Sequence, residues 1–127
     1  MQRILIIDDN IYFARLVASQ LSRLGYTVRV MVENEELQDL LRLEHFDLLI
    51  MELLLQGQDG LSLLRQIRCS LFSFLRVLVV TQRTGYVEQL RVAEYDADFF
   101  SKPIDINQLI ETVQLILARD LSAGICV

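Results

Sequence analysis

Acidic side chains close two of the chain's apolar runs. Arg3-Ile4-Leu5-Ile6-Ile7 leads into Asp8 and Asp9, and Asp47-Leu48-Leu49-Ile50-Met51 leads into Glu52. As neighbouring parallel strands, the two runs would crowd three carboxylates at one edge of a sheet. Charges about 5 Å apart repel by roughly 3 kcal/mol per pair at an effective dielectric near 20, so such a cluster needs a counter-charge. Lys102 is the only lysine in the chain and directly precedes the only proline, Pro103. Thr81 closes a further apolar run, Val77–Val80. Asp8, Asp9 and Glu52 offer hard oxygen ligands suited to a Mg²⁺ that keeps some of its waters. The Thr81 hydroxyl and Lys102 ammonium suit phosphoryl oxygens. Together these groups fit phosphoryl transfer to a carboxylate.

Short apolar runs alternate with stretches of helical period. Ile4–Ile7 reads as a strand buried on both faces. A helix is expected from Ile11 to Leu24, with Phe13, Leu16, Val17, Leu21 and Leu24 on its inward stripe and Gly25 as its stop. Thr27–Val32 alternates as a second strand, and Asn34 can cap a second helix whose first turn carries Glu35 and Glu36. Leu48–Met51 is the third strand, followed by a loop at Gln56–Gly60 in which Asp59-Gly60 reads as turn and helix cap. A third helix spans Leu61–Cys69, and the fourth strand is Leu75–Val80. A fourth helix covers Tyr86–Tyr95, a fifth strand Ala97–Phe100 and a fifth helix Ile106–Arg119. Asp105 and Gln108 have capping-box spacing for that last helix. Alternation of this kind implies a parallel sheet with helices on both faces. In such sheets ligands bind beyond the carboxyl ends of the strands. Asp8, Asp9, Glu52, Thr81 and Lys102 all fall there.

With 127 residues, 53% of them apolar, the chain suits one domain with a full core. Residues 1–121 are expected to form it and 122–127 a short tail. No apolar run has the length of a membrane span and no signal-peptide pattern opens the chain, so a cytoplasmic protein is expected. The net charge of −5 and scattered arginines argue against a nucleic-acid surface. A single histidine, His45, argues against a zinc site or a histidine-based triad. His45 itself reads as an ordinary residue near a helix end.

The segments Ile4–Asn10, Asp47–Gly60, Val77–Thr81 and Ser101-Lys102-Pro103 together resemble the receiver domain of two-component response regulators, across essentially the whole chain. The resemblance implies a flavodoxin-like α/β fold, a five-stranded parallel sheet in the order 2-1-3-4-5 flanked by five helices. It implies that Asp8 and Asp9 bind Mg²⁺, with Leu54 adding only its carbonyl. Thr81 is then the switch hydroxyl, Lys102 the phosphoryl contact and Phe99 the aromatic that turns inward on activation. The Lys102–Pro103 bond is expected to be cis. Protein partners, a histidine kinase or downstream effector, are expected on the fourth helix, fifth strand and fifth helix, where a second copy of the chain would also dock. Leu115, opposite the inward stripe of the last helix, belongs to that surface. Neither nucleic acid nor membrane is an expected partner.

Three positions depart from the family pattern. Glu52 stands where the family carries the phosphorylated aspartate, its carboxylate about 1.3 Å further from the backbone. In-line transfer depends on sub-ångström placement, so a shift of this size costs on the order of a hundredfold. The longer carboxylate is expected to reach Lys102 and Thr81, filling the phosphoryl space. Gln56 replaces a usual proline, and Glu94–Asp98 replaces a small-residue turn. The expected function is a phosphorylation-independent receiver module rather than an enzyme. The alternatives are a receiver still phosphorylated at Glu52 or a neighbouring acid, and a small Mg²⁺-dependent phosphohydrolase or flavin carrier. Flavin binding is disfavoured because Asp8-Asp9-Asn10 would repel a phosphate.

Overall fold

The computed structural model describes residues 2–31 and 36–119. Strands β1 (Arg3–Ile7), β2 (Thr27–Met31), β3 (Leu48–Met51), β4 (Arg76–Thr81) and β5 (Asp98–Ser101) form one parallel sheet in the order β2-β1-β3-β4-β5. Helices α1 (Ile11–Arg23), α2 (Leu37–Leu43), α3 (Gly60–Arg68), α4 (Tyr86–Glu94) and α5 (Ile106–Ala118) connect and cover the strands. A two-residue antiparallel ladder, Leu54–Leu55 against Gln58–Asp59, shapes the loop between β3 and α3. The α/β class is as the alternation of elements predicts, and the 2-1-3-4-5 order is as the family resemblance implies.

Strand side chains alternate faces with period two, which sorts the core into two layers. Ile4, Ile6, Leu48, Ile50, Leu78 and Val80 pack against Val17 and Leu21 of α1 and Leu109, Val113 and Ile116 of α5. Leu5, Ile7, Leu49, Met51, Val77 and Val79 pack on the other face, with Leu40 of α2, Leu64 of α3 and Val92 of α4. The central strands are apolar throughout because both their faces are covered.

Several local expectations shift. In α1 the buried positions are Ala14, Val17 and Leu21, while Leu16 and Leu24 are half exposed. The apolar stripe is narrower than the sequence suggested, with Phe13 partly buried against the same core layer. Gly25 follows the Leu24 cap with φ +96°, the left-handed backbone of a helix stop. Asp59 caps α3 by accepting from the Leu61 amide at 3.1 Å, and Asp105 caps α5 by accepting from the Asn107 and Gln108 amides. The Asn34 cap and Val32 lie outside the described residues.

The turn at 94–98 keeps a left-handed residue, Asp96, at φ +56°. Arg68 holds it from α3, donating to the carbonyls of Tyr95 and Asp96 and to those of Ser73 and Leu75. At the far edge of the sheet, His45 is exposed and pairs with Asp47 at 3.1 Å. Burial raises the Asp47 pKa, but the Arg3 amide, His45 and Arg76 outweigh it and hold the carboxyl below its ordinary value.

Candidate functional site

Sheet register decides which strand ends meet. Ile7 pairs with Met51, and Met51 with Val79, so Asp8 and Glu52 emerge from adjacent strands about 4.8 Å apart. The Glu52 amide donates to the Ile7 carbonyl at 3.1 Å and extends the pairing to the acidic residue itself. Thr81 pairs with Ser101, and the Lys102 amide donates to the Thr81 carbonyl at 2.9 Å, which delivers the lysine to the same edge. The Lys102–Pro103 peptide is cis.

Asp8, Glu52 and Thr81 are the buried polar residues among those described, at 3%, 4% and 0% exposure. Lys102 Nζ donates to Asp8 Oδ2 at 2.9 Å and pairs with Glu52 Oε1 at 3.3 Å. The second Asp8 oxygen accepts from the Asn10 amide at 2.9 Å. Glu52 Oε2 accepts from the Leu53 amide at 2.6 Å and the Leu54 amide at 3.3 Å, and Oε1 accepts from the Gln82 amide at 3.4 Å. The Glu52 carboxylate thus sits in a ring of three amides and one ammonium. A charge this deeply buried is tolerated only with such partners.

The expectation that Glu52 also reaches Thr81 is corrected. Thr81 Oγ1 accepts from the Arg83 amide at 3.0 Å, and the neighbouring Gln82 amide serves Glu52 instead. Arg83 continues outward, bridging Asp59 at 3.1 Å and Glu88 at 3.3 Å. Phe99 is partly buried against the layer containing Val77, Val79 and Val92.

Asp9 has a different partner. Its Oδ2 accepts from the Gln56 amide at 2.6 Å. A proline at position 56 would have no N–H to give, so the departure noted in the sequence supplies a donor that engages this carboxylate. Among the described residues, Asp8, Asp9 and Glu52 do not come together as a group able to hold a metal ion. The physical reason is local. Asp8 and Glu52 share Lys102, Asp9 takes Gln56, and Glu52 folds back on its own loop. The three-carboxylate set named for Mg²⁺ is not assembled in this geometry.

The response regulator receiver domain family matches residues 4–114, and the chain belongs to that family. It is 34% identical over 122 residues to the virulence transcriptional regulatory protein PhoP of Salmonella choleraesuis (strain SC-B67), covering 94% of this chain and 54% of that protein. The chain therefore spans about half the length of the curated relatives it matches. Among solved structures it resembles the non-phosphorylated HemR receiver domain from Leptospira biflexa, with a TM-score of 0.88, 25% identity, and 94% and 97% of the two chains covered. A putative response regulator from Chloroflexus aurantiacus J-10-fl matches with a TM-score of 0.84 and 31% identity, over 93% and 98% of the two chains. This is a signal-transduction receiver domain of the two-component response regulators. Among the described residues no helix is long and apolar enough to cross a membrane.

Proposed function

We propose that this chain is a signalling receiver module that works without an aspartyl phosphate, with Glu52 serving as a resident anion in the acceptor pocket. One observation carries the reading: both Glu52 oxygens are engaged, by Lys102 and by the amides of Leu53, Leu54 and Gln82. A nucleophilic carboxylate needs a free lone pair aimed at the incoming phosphorus. Here the cation and amide donors that would receive phosphoryl oxygens already hold a carboxylate. The domain is then a binding module rather than a catalyst, and its conformation is set by covalent structure.

Intact-mass measurement after incubation with acetyl phosphate, or with a phosphorylated histidine kinase, tests this. An unchanged mass is expected. A gain of one phosphoryl group would overturn the reading in favour of a receiver that still accepts phosphate.

The proposed module is also metal-independent. Mg²⁺ bound only to the native state at tenfold above its dissociation constant would add about 1.4 kcal/mol, roughly 5 °C in melting temperature for a domain of this size. Millimolar Mg²⁺ is expected to move the melting temperature by less than about 1 °C on the same scale. A full upward shift in a thermal melt would show that a carboxylate leaves its amide or lysine partner to take the metal.

Partners are proposed on α4, β5 and α5. Tyr86, Val87 and Leu90 of α4 are exposed, and Leu115 of α5 is 70% exposed among polar neighbours. Large apolar side chains left in water on adjoining elements suit a protein contact. A histidine kinase, a downstream effector or a second receiver are the occupants this reading admits. Cytoplasmic residence and a domain limit near residue 121 belong to the same proposal.

A further inference from the structure

A lysine ammonium has three N–H donors, and carboxylates account for two sides of Lys102. On another side lies an aromatic ring: Nζ stands 4.3 Å from the centroid of Phe13. That is well inside the range at which a cation is attracted to a ring face, and the attraction grows when the cation is shielded from water. The Lys102 side chain is only 11% exposed. Phe13 and Lys102 also line one cavity together with Gln82, Pro103 and Ile104. Cations other than lysine are absent from that lining.

The turn that holds Phe13 also holds Asp8. The Phe13 amide donates to Asn10 Oδ1 at 3.1 Å, and the Asn10 amide donates to Asp8 Oδ1 at 2.9 Å. One capping turn at the start of α1 therefore places a carboxylate and a ring against the same ammonium. The ring reaches the ammonium while still packing against the core layer shared with Val17 and Leu21.

We propose that Phe13 is a positioning residue that covers a further side of Lys102, keeps the ammonium committed to Asp8 and Glu52, and hinders its capture by small oxyanions such as acyl phosphates. The inference deepens the reading of Glu52 as the resident anion and rests on it.

Lys102 is the chain's sole lysine, so its accessibility is measurable by amine acetylation of the full chain with an N-hydroxysuccinimide ester, followed by peptide mass mapping. Phe13→Leu keeps an apolar side chain but removes the ring face. It is expected to raise the Lys102 acetylation rate on the order of tenfold, the factor that about 1.4 kcal/mol of lost cation–ring attraction implies. Phe13→Tyr retains the ring and is expected to react at the wild-type rate. Far-UV circular dichroism and thermal melts confirm that each variant is folded. Equal rates for wild type and Phe13→Leu would overturn the proposal, as would a tyrosine variant that reacts as fast as the leucine one. The two readings fail separately. A phosphoryl gain in the wild-type mass with Phe13→Leu still unmasking Lys102 defeats the Glu52 reading alone. An unchanged mass with an insensitive Lys102 defeats this one alone.

Discussion

Replacing Lys102 with methionine is expected to destabilise the folded domain by about 3–5 kcal/mol, the usual cost of removing one partner from a buried charge pair. The substitution strands two carboxylates rather than one, because Asp8 and Glu52 share the ammonium at 2.9 and 3.3 Å and are each nearly inaccessible. The Leu53, Leu54 and Gln82 amides would still solvate Glu52, and the Asn10 amide would still solvate Asp8, so the two anions would repel across a dry gap with no cation between them. Adding Glu52→Gln to Lys102→Met removes that charge–charge repulsion, leaving Asp8 as the one stranded anion, and is expected to restore more than about 1 kcal/mol, a coupling typical of residues in direct contact. Urea unfolding of the four members of the cycle measures both quantities. A single-variant loss under about 1 kcal/mol would mean that the ammonium is not the counter-charge of the cluster.

Gly60→Ala is expected to cost about 3 kcal/mol, at the upper end for overpacking. A Cβ at this position would stand 2.5 Å from the Leu53 Cα and 2.8 Å from the carbonyl oxygens of Glu52 and Leu53. All three obstacles are backbone, and the Gly60 amide is itself tied to the Leu53 carbonyl at 2.9 Å, so neither side can yield without moving the loop. That loop supplies the Leu53 and Leu54 amides that hold Glu52, so the loss of stability should be accompanied by faster hydrogen exchange at both. Gly85→Ala is the matched comparison. Its Cβ would meet only the end of the Glu88 side chain, which can swing aside, and a loss below about 1 kcal/mol is expected from chemical denaturation. Equal costs at the two glycines would refute the claim that the α3 start is braced against the acceptor loop.

Periodicity made the strands and the polar residues at their ends readable, while the order of the strands came from the family resemblance. Continuous apolar runs at Ile4–Ile7, Leu48–Met51 and Val77–Val80 mark strands covered on two sides, and the polar residues after them mark the edge where the site forms. Asp8, Glu52 and Lys102 accordingly meet where the sequence placed them. What periodicity does not encode is which partner each side chain chooses once it arrives. Phe13 read as core because its spacing matched Val17 and Leu21, and it does pack against that layer, but its ring also meets Lys102, 89 positions away, for a reason visible only in three dimensions. Gln56 was read as the loss of a loop-shaping proline, whereas its consequence is an extra backbone donor for Asp9. The return of the Glu52 carboxylate onto Leu53 and Leu54 is likewise a matter of one methylene and a rotamer, below the resolution of any sequence pattern.

Arg83 links three segments that meet around this pocket: its amide serves the Thr81 hydroxyl, while its guanidinium ties Asp59 before α3 to Glu88 in the first turn of α4. Two surface spans separated by more than twenty positions along the chain are thereby stitched at a single side chain. Their fluctuations should be correlated rather than independent, and a disturbance beside the acceptor would reach the face offered to other proteins with no relay through the interior.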